Sequence, residues 1–151
     1  MMEFVYAYAY FVLYAFLGWV CEDLYCGIPA KKFINRGFFY GPYCPIYGVG
    51  ALLVLYPLLF VKDYPILVFV LGVIITSTLE YITSWVMEIL FKTRWWDYSE
   101  RFMNINGRVC LLNSTLFGIM SIVVVYIIHP VIQDIVLDIP LTALMSFLSA
   151  F

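Results

Sequence analysis

The sequence is short of charge. Lys, Arg, Asp and Glu make up 12% of its 151 residues, about half the share in a soluble domain. Histidine is nearly missing, with His129 the single example. That excludes most histidine-based catalysis. Cys21, Cys26, Cys44 and Cys110 form no CxxC pair and have no histidine near them in the chain. They read as small free packing groups and not as metal ligands. There is no GxxxxGK[ST], so no nucleotide is hydrolysed by a P-loop, and neither GxSxG nor HExxH occurs. No metal, cofactor or nucleic acid is expected as a partner. The N-terminal "MMEFVYAYAY" lacks the basic n-region of a signal peptide, and its apolar run is long enough to span, so it reads as a retained first helix.

What is plentiful is apolar surface. Hydrophobic residues make up 65% of the chain and the mean hydropathy is +0.98, the composition of an integral membrane protein in a lipid bilayer. A spanning helix needs about 17–25 mostly apolar residues. Four runs qualify: Phe4 to Cys21, Cys44 to Val61, Tyr64 to Glu88, and Val109 to Ile128 closed by His129-Pro130. The tail, 129–151, holds Asp134, Asp138 and Pro140 and then an apolar stretch, which predicts either an interfacial helix or a fifth span. The expected fold is a single all-α polytopic bundle of four to five spans over residues 1–151.

Basic residues orient it. Lys31, Lys32 and Arg36 follow the first span, and Lys92, Arg94, Arg101 and Arg108 follow the third, so seven of eight basic residues fall in two loops on one side. The positive-inside rule predicts a multi-pass cell-membrane protein with those loops cytoplasmic and the N-terminus outside.

A repeat is visible in the order of motifs. "GWVCE" (18–22) ends the first span and "SWVME" (84–88) ends the third. Gly37 is followed 11 residues later by Gly48, and Gly107 by Gly118 at the same distance. Asn35-Arg36-Gly37 faces Asn106-Gly107-Arg108. The expected halves are 4–61 and 64–128, each of two spans, so both insert the same way round. That arrangement implies a pseudo-two-fold axis along the membrane normal.

Polar residues within the spans are the candidates for chemistry. Residues four apart share a helix face, so Tyr10, Tyr14, Gly18 and Glu22 make one stripe and Thr76, Glu80, Ser84 and Glu88 the matching one. Gly18 and Ser84 are small enough to let the two helices meet, which would bring Tyr14 near Glu80 and Glu22 near Glu88. Glu80 lies well inside its span, where a charged side chain costs about 2.5–3.5 kcal/mol on insertion scales. Asp97, Asn106, Asn113, Arg94 and Arg101 lie in or beside the second polar loop, and Asn35 in the first. Gly37, Gly41, Pro42 and Pro45 suggest a broken or re-entrant segment, because non-helical backbone at membrane depth survives only against protein or a polar cavity. Pro45 suits a first helical turn. Arg36 and Arg108 precede helix starts, where they could bind an anionic ligand or clamp Glu22 and Glu88. Trp95 and Trp96 read as an interfacial anchor.

"GWVCE", "NRGFFYGPYCPIYGVGAL", "EYITSWVMEILF", "WWDYS" and "NINGRVCLLNSTLFG" resemble the CmpB-like, type IV class of ABC transporter permeases, from about Gly18 to Gly118. The resemblance implies a polytopic bacterial membrane protein partnered with a separate ATPase subunit. Glu22, Asn35, Arg36, Gly37, Gly41, Pro42, Pro45, Gly48, Glu80, Glu88, Asp97, Asn106, Gly107 and Arg108 match its motif positions. Three functions are open. One is a transport or ligand-binding subunit with a Glu/Arg/Asn cavity for a small polar or charged molecule. Another is a membrane enzyme acting on a lipid headgroup, with Glu22, Glu88 or Asp97 as acid or base. The last is a structural or regulatory partner of another membrane protein. A homo-oligomer is compatible with each.

Overall fold

Proline and glycine punctuation, together with apolar length, sets where the helices of this chain begin and end. The computed structural model describes residues 2–31 and 41–149. Helix α1 covers Met2–Ala30, α2 Pro45–Leu59 and α3 Pro65–Phe91. A two-residue hairpin, β1 Asn104–Ile105 and β2 Val109–Cys110, precedes α4 Leu111–Val123. A π-helical turn, Val124–Ile128, leads into α5 His129–Asp138, and α6 Leu141–Ser149 follows. Pro45 and Pro65 each occupy a first turn, where the missing N–H has no helical partner to lose. Lys92 closes α3 in the left-handed conformation, its N–H donating to the Glu88 carbonyl at 2.9 Å.

Three helical runs are long and apolar enough to cross a membrane: Glu3–Leu24, Pro65–Phe91 and Leu111–Asp138. The chain is a multi-pass membrane protein of predominantly helical structure. Ile66, Val70, Ile74 and Leu90 of α3 are exposed, and lipid would cover what water could not. Helix α2, with 15 residues, is about 22 Å long at 1.5 Å per residue, short of a hydrocarbon core of about 30 Å. It stops at Leu59 because the chain turns there, Val61 N–H to Leu58 and Tyr64 N–H to Val61, before Pro65 starts α3.

The fourth helix does not stop at His129-Pro130, where the sequence suggests a break. Proline lacks an N–H and its ring presses on the carbonyl four residues back, here that of Tyr126. The π turn lies over that carbonyl, and its wider winding opens the ladder enough for the helix to continue to Asp138. Helix α6 covers nine described residues, roughly 14 Å.

The chain forms two compact units, Met1–Leu53 with His129–Phe151, and Val54–Ile128. In the first, the Cys44 N–H donates to the Ala15 carbonyl at 2.9 Å, which ties the start of α2 to the middle of α1. Tyr47 packs on Gly18, and Phe11 on Gly48, with no room for a Cβ at either glycine. His129 is buried, and its Nδ1 lies 3.2 Å from the Tyr14 hydroxyl.

In the second unit, α3 and α4 run antiparallel. Gly72 meets Ser121, Gly118 meets Phe69 and Val73, and Ser77 Oγ donates to Ser114 Oγ at 2.7 Å. A Cβ on Gly118 would come 2.5 Å from Val73 Cγ2. Small residues thus let the two backbones approach, the usual device of helix pairs in lipid.

Candidate functional site

The polar groups of the second unit collect on one face of α3. Ser77, Glu80, Tyr81, Ser84 and Glu88 recur at helical spacing, and each meets a partner from α4 or from the segment after α3. The sequence places Thr76 on this stripe. The structure puts Ser77 there instead, because the Thr76 hydroxyl turns back to its own helix, donating to Gly72 at 2.7 Å.

The segment between Phe91 and Leu111 folds back beside the last three turns of α3. Tyr98, Asn106 and Arg108 therefore reach Glu80, Tyr81 and Ser84 rather than lying beyond Phe91. Its backbone is held internally. Tyr98 N–H donates to Gly107 at 2.7 Å, and the Asn104 amide donates to Ser99 and Arg101 at 3.0 and 2.9 Å. Asn104 Oδ1 accepts the Gly107 N–H at 3.0 Å. Asn106 and Gly107 have φ of 53° and 67°, and the Arg108 N–H returns to the Ile105 carbonyl at 3.0 Å. Two positive φ values in succession mark a type I′ turn, which Asn-Gly adopts readily. That dipeptide was the available signal for the hairpin, which motif comparison alone overlooks. Trp96 donates its indole N–H to the Arg108 carbonyl at 3.0 Å, so it is a structural tie, while Trp95 is exposed.

Arg108 is buried at the centre. Its guanidinium donates to Ser84 Oγ at 3.1 Å and to Glu88 Oε2 at 2.5 Å, and lies 5.7 Å from the centre of the Tyr81 ring. Arg94 reaches Glu88 at 3.4 Å and Asp97 at 3.6 Å. Asp97 Oδ1 also accepts the Ser99 hydroxyl at 2.5 Å and the Ser99 N–H at 2.9 Å, and these bonds hold its carboxyl below the usual carboxylate range. The Asn106 amide donates to the Tyr81 hydroxyl at 2.8 Å.

Deeper along α3, the Tyr98 hydroxyl donates to Glu80 Oε1 at 3.3 Å. Burial, and then the neighbouring Glu80 carboxyl, pushes the Tyr98 phenol up to about 12. Asn113 of α4 stands beside both groups. Glu80 Oε2 is buried and has no hydrogen-bond partner.

The first unit has its own polar contacts. Glu22 accepts the Tyr47 hydroxyl, and Gly18 of the same stripe is filled by the Tyr47 ring. Tyr14 of that stripe turns to His129. Gly41 carries the Tyr43 ring over its α-carbon, Pro42 is exposed, and Pro45 opens α2. Asn35, Arg36 and Gly37 lie outside the described residues.

With this geometry in hand, one comparison decides the family. Residues 9–151 match the family model described as "Putative ABC-transporter type IV". The chain belongs to that family. Its apolar helices fit the membrane transport protein that the description names. No curated protein and no solved structure matches the chain.

Proposed function

We propose that this family member is the membrane-embedded transport subunit of an ABC-type system. In this reading the polar face of α3, closed by Tyr98, Asn106, Arg108 and Asn113, receives a small polar or charged solute. The observation that carries it is that face itself. Five polar residues line up inside a candidate span and meet polar groups from α4 and the folded-back segment. Ionisable groups inside a span point to a functional site by default. The basic segment after α3 is cytoplasmic, and a separate ATPase would meet the chain on that side.

Duplication supports a matching site in the first half. Glu22 and Glu88 each accept from a later segment. Asn35 and Arg36 then play the parts of Asn106 and Arg108. The lipid-headgroup enzyme has less support, since Glu88 and Asp97 both pair with Arg94.

Scintillation-proximity binding with purified protein tests the reading without an energy source. A panel of labelled small cations, anions and zwitterions should include a saturable binder, lost in Ser84→Leu, which plugs the seam. Saturable binding unaffected by Ser84→Leu, or none across the panel, overturns it.

A further inference from the structure

Charge compensation along α3 is uneven. Glu88 is met by Arg94 and Arg108, and Asp97 by Arg94. Among the described residues no ion pair reaches Glu80. Its neighbours are neutral: the Tyr98 hydroxyl on Oε1, and the Asn113 amide alongside. One turn further along, Ser77 and Ser114 contribute hydroxyl oxygens to the same seam. Oε2 itself is sealed from solvent and receives nothing. A buried acceptor left bare is rare in folded proteins, and a missing water or ion is a common reason.

We infer that Glu80, Tyr98 and Asn113 form a binding site for a small monovalent cation, with Glu80 Oε2 as its anionic ligand. The inference rests on the transport reading of the same face and supplies its ligand class. An anion is excluded by the carboxylate. A divalent ion calls for several anionic or oxygen ligands at once, and among the described residues no group of three or more acidic, histidine or cysteine ligands exists. A monovalent cation brings the one missing charge, and the phenol, amide and serine oxygens replace its hydration. An alkali metal ion and an ammonium group share that chemistry.

The test is thermal unfolding of the full chain in detergent, at fixed pH and ionic strength, in choline chloride and in sodium, potassium, ammonium and methylammonium chlorides. At about 100-fold excess over its Kd, a bound cation should raise the wild-type midpoint by about 5 °C or more above choline. The salt that does so separates metal from ammonium. Glu80→Gln should show the same midpoint in every salt, whereas Glu100→Gln, an exposed loop change, should respond like wild type. Hydrogen exchange of the wild type guards against failure of Glu80→Gln to fold: the active salt should protect residues 76–84 and 111–115, saturably. Equal wild-type midpoints in all salts, a shift retained by Glu80→Gln, or protection mapping elsewhere overturns the inference. Saturable binding of a solute other than a small cation in the scintillation assay, with flat midpoints here, would remove the cation and leave the transport reading standing.

Discussion

Arg108 Nη2 lies 2.5 Å from Glu88 Oε2 while Nη1 lies 3.1 Å from Ser84 Oγ. One guanidinium thus ties the start of α4 to two successive turns of α3. Arg108 is buried and Glu88 is only partly so. Removing the arginine therefore strands a buried hydroxyl as well as an ion-pair partner. Arg108→Gln should destabilise the protein by about 1.5–3 kcal/mol, read as a lower unfolding midpoint. Glu88→Gln should do less, since a Gln oxygen still accepts from Arg108. A double-mutant cycle checks the pair: additive single effects would show that the contact carries no coupling.

The turn that presents Arg108 depends on Gly107. Its φ is 67°, and a Cβ there would press on Asp97 Oδ1 and Ser99 Oγ and come 3.1 Å from Arg94 Nη1. Gly107→Ala should cost about 1–3 kcal/mol through left-handed strain, plus whatever the displaced Asp97–Ser99 turn was contributing. The segment around Arg101 should then be cut faster by trypsin than in wild type. Unchanged cleavage and midpoint would mean that the turn relaxes freely.

Two groups of this segment predict opposite pH behaviour. Asp97 is held below its ordinary value of 3.8 by the Ser99 hydroxyl and N–H. A carboxyl whose folded value lies under its unfolded one contributes stability above pH 3.8, and that contribution is lost as pH falls below it. Protection of the Ser99 amide from exchange should fade in that acid window, and Asp97→Asn should remove the dependence. Tyr98 is raised from 10.0 to about 12. Its contribution is complete below pH 10.0 and is lost as pH climbs toward about 12. Tyr98→Phe should therefore be less alkali-sensitive than wild type across that window.

Much of the helix pattern was legible in the chain, because apolar length and prolines at 45 and 65 leave few choices for where α1, α2 and α3 lie. The Arg108–Glu88 contact was legible too, from a charge just before a helix and another at the end of its neighbour. What pattern could not decide was which of two adjacent hydroxyls turns inward, Thr76 or Ser77, since both tolerate either role and one bonds its own backbone. Nor could it show that a π turn carries the last long helix past Pro130, because that relief is a backbone adjustment with no side-chain signature. Tyr98 was missed as the partner of Glu80 since the two are 18 residues apart, with a folded-back segment between them.

Orientation in the membrane gives the last expectation. Lys92, Arg94, Arg101 and Arg108 follow α3, while Lys62 alone sits in the turn between α2 and α3. The orienting rule counts Lys and Arg and discounts Asp and Glu. The pairing of Arg94 and Arg108 with Glu88 and Asp97 therefore does not cancel their effect. The segment after α3 should face the cytoplasm and the Lys62 turn the outside. With the native cysteines replaced, Thr93→Cys should react with a membrane-impermeant maleimide only after the cells are permeabilised, and Lys62→Cys should react on intact cells. The reverse pattern would turn the chain over, placing the polar face of α3 open to the outside and out of reach of a cytoplasmic ATPase. Labelling of both positions on intact cells would instead mean that α3 does not cross the membrane, and the polar face would lose its claim to be part of a transport path.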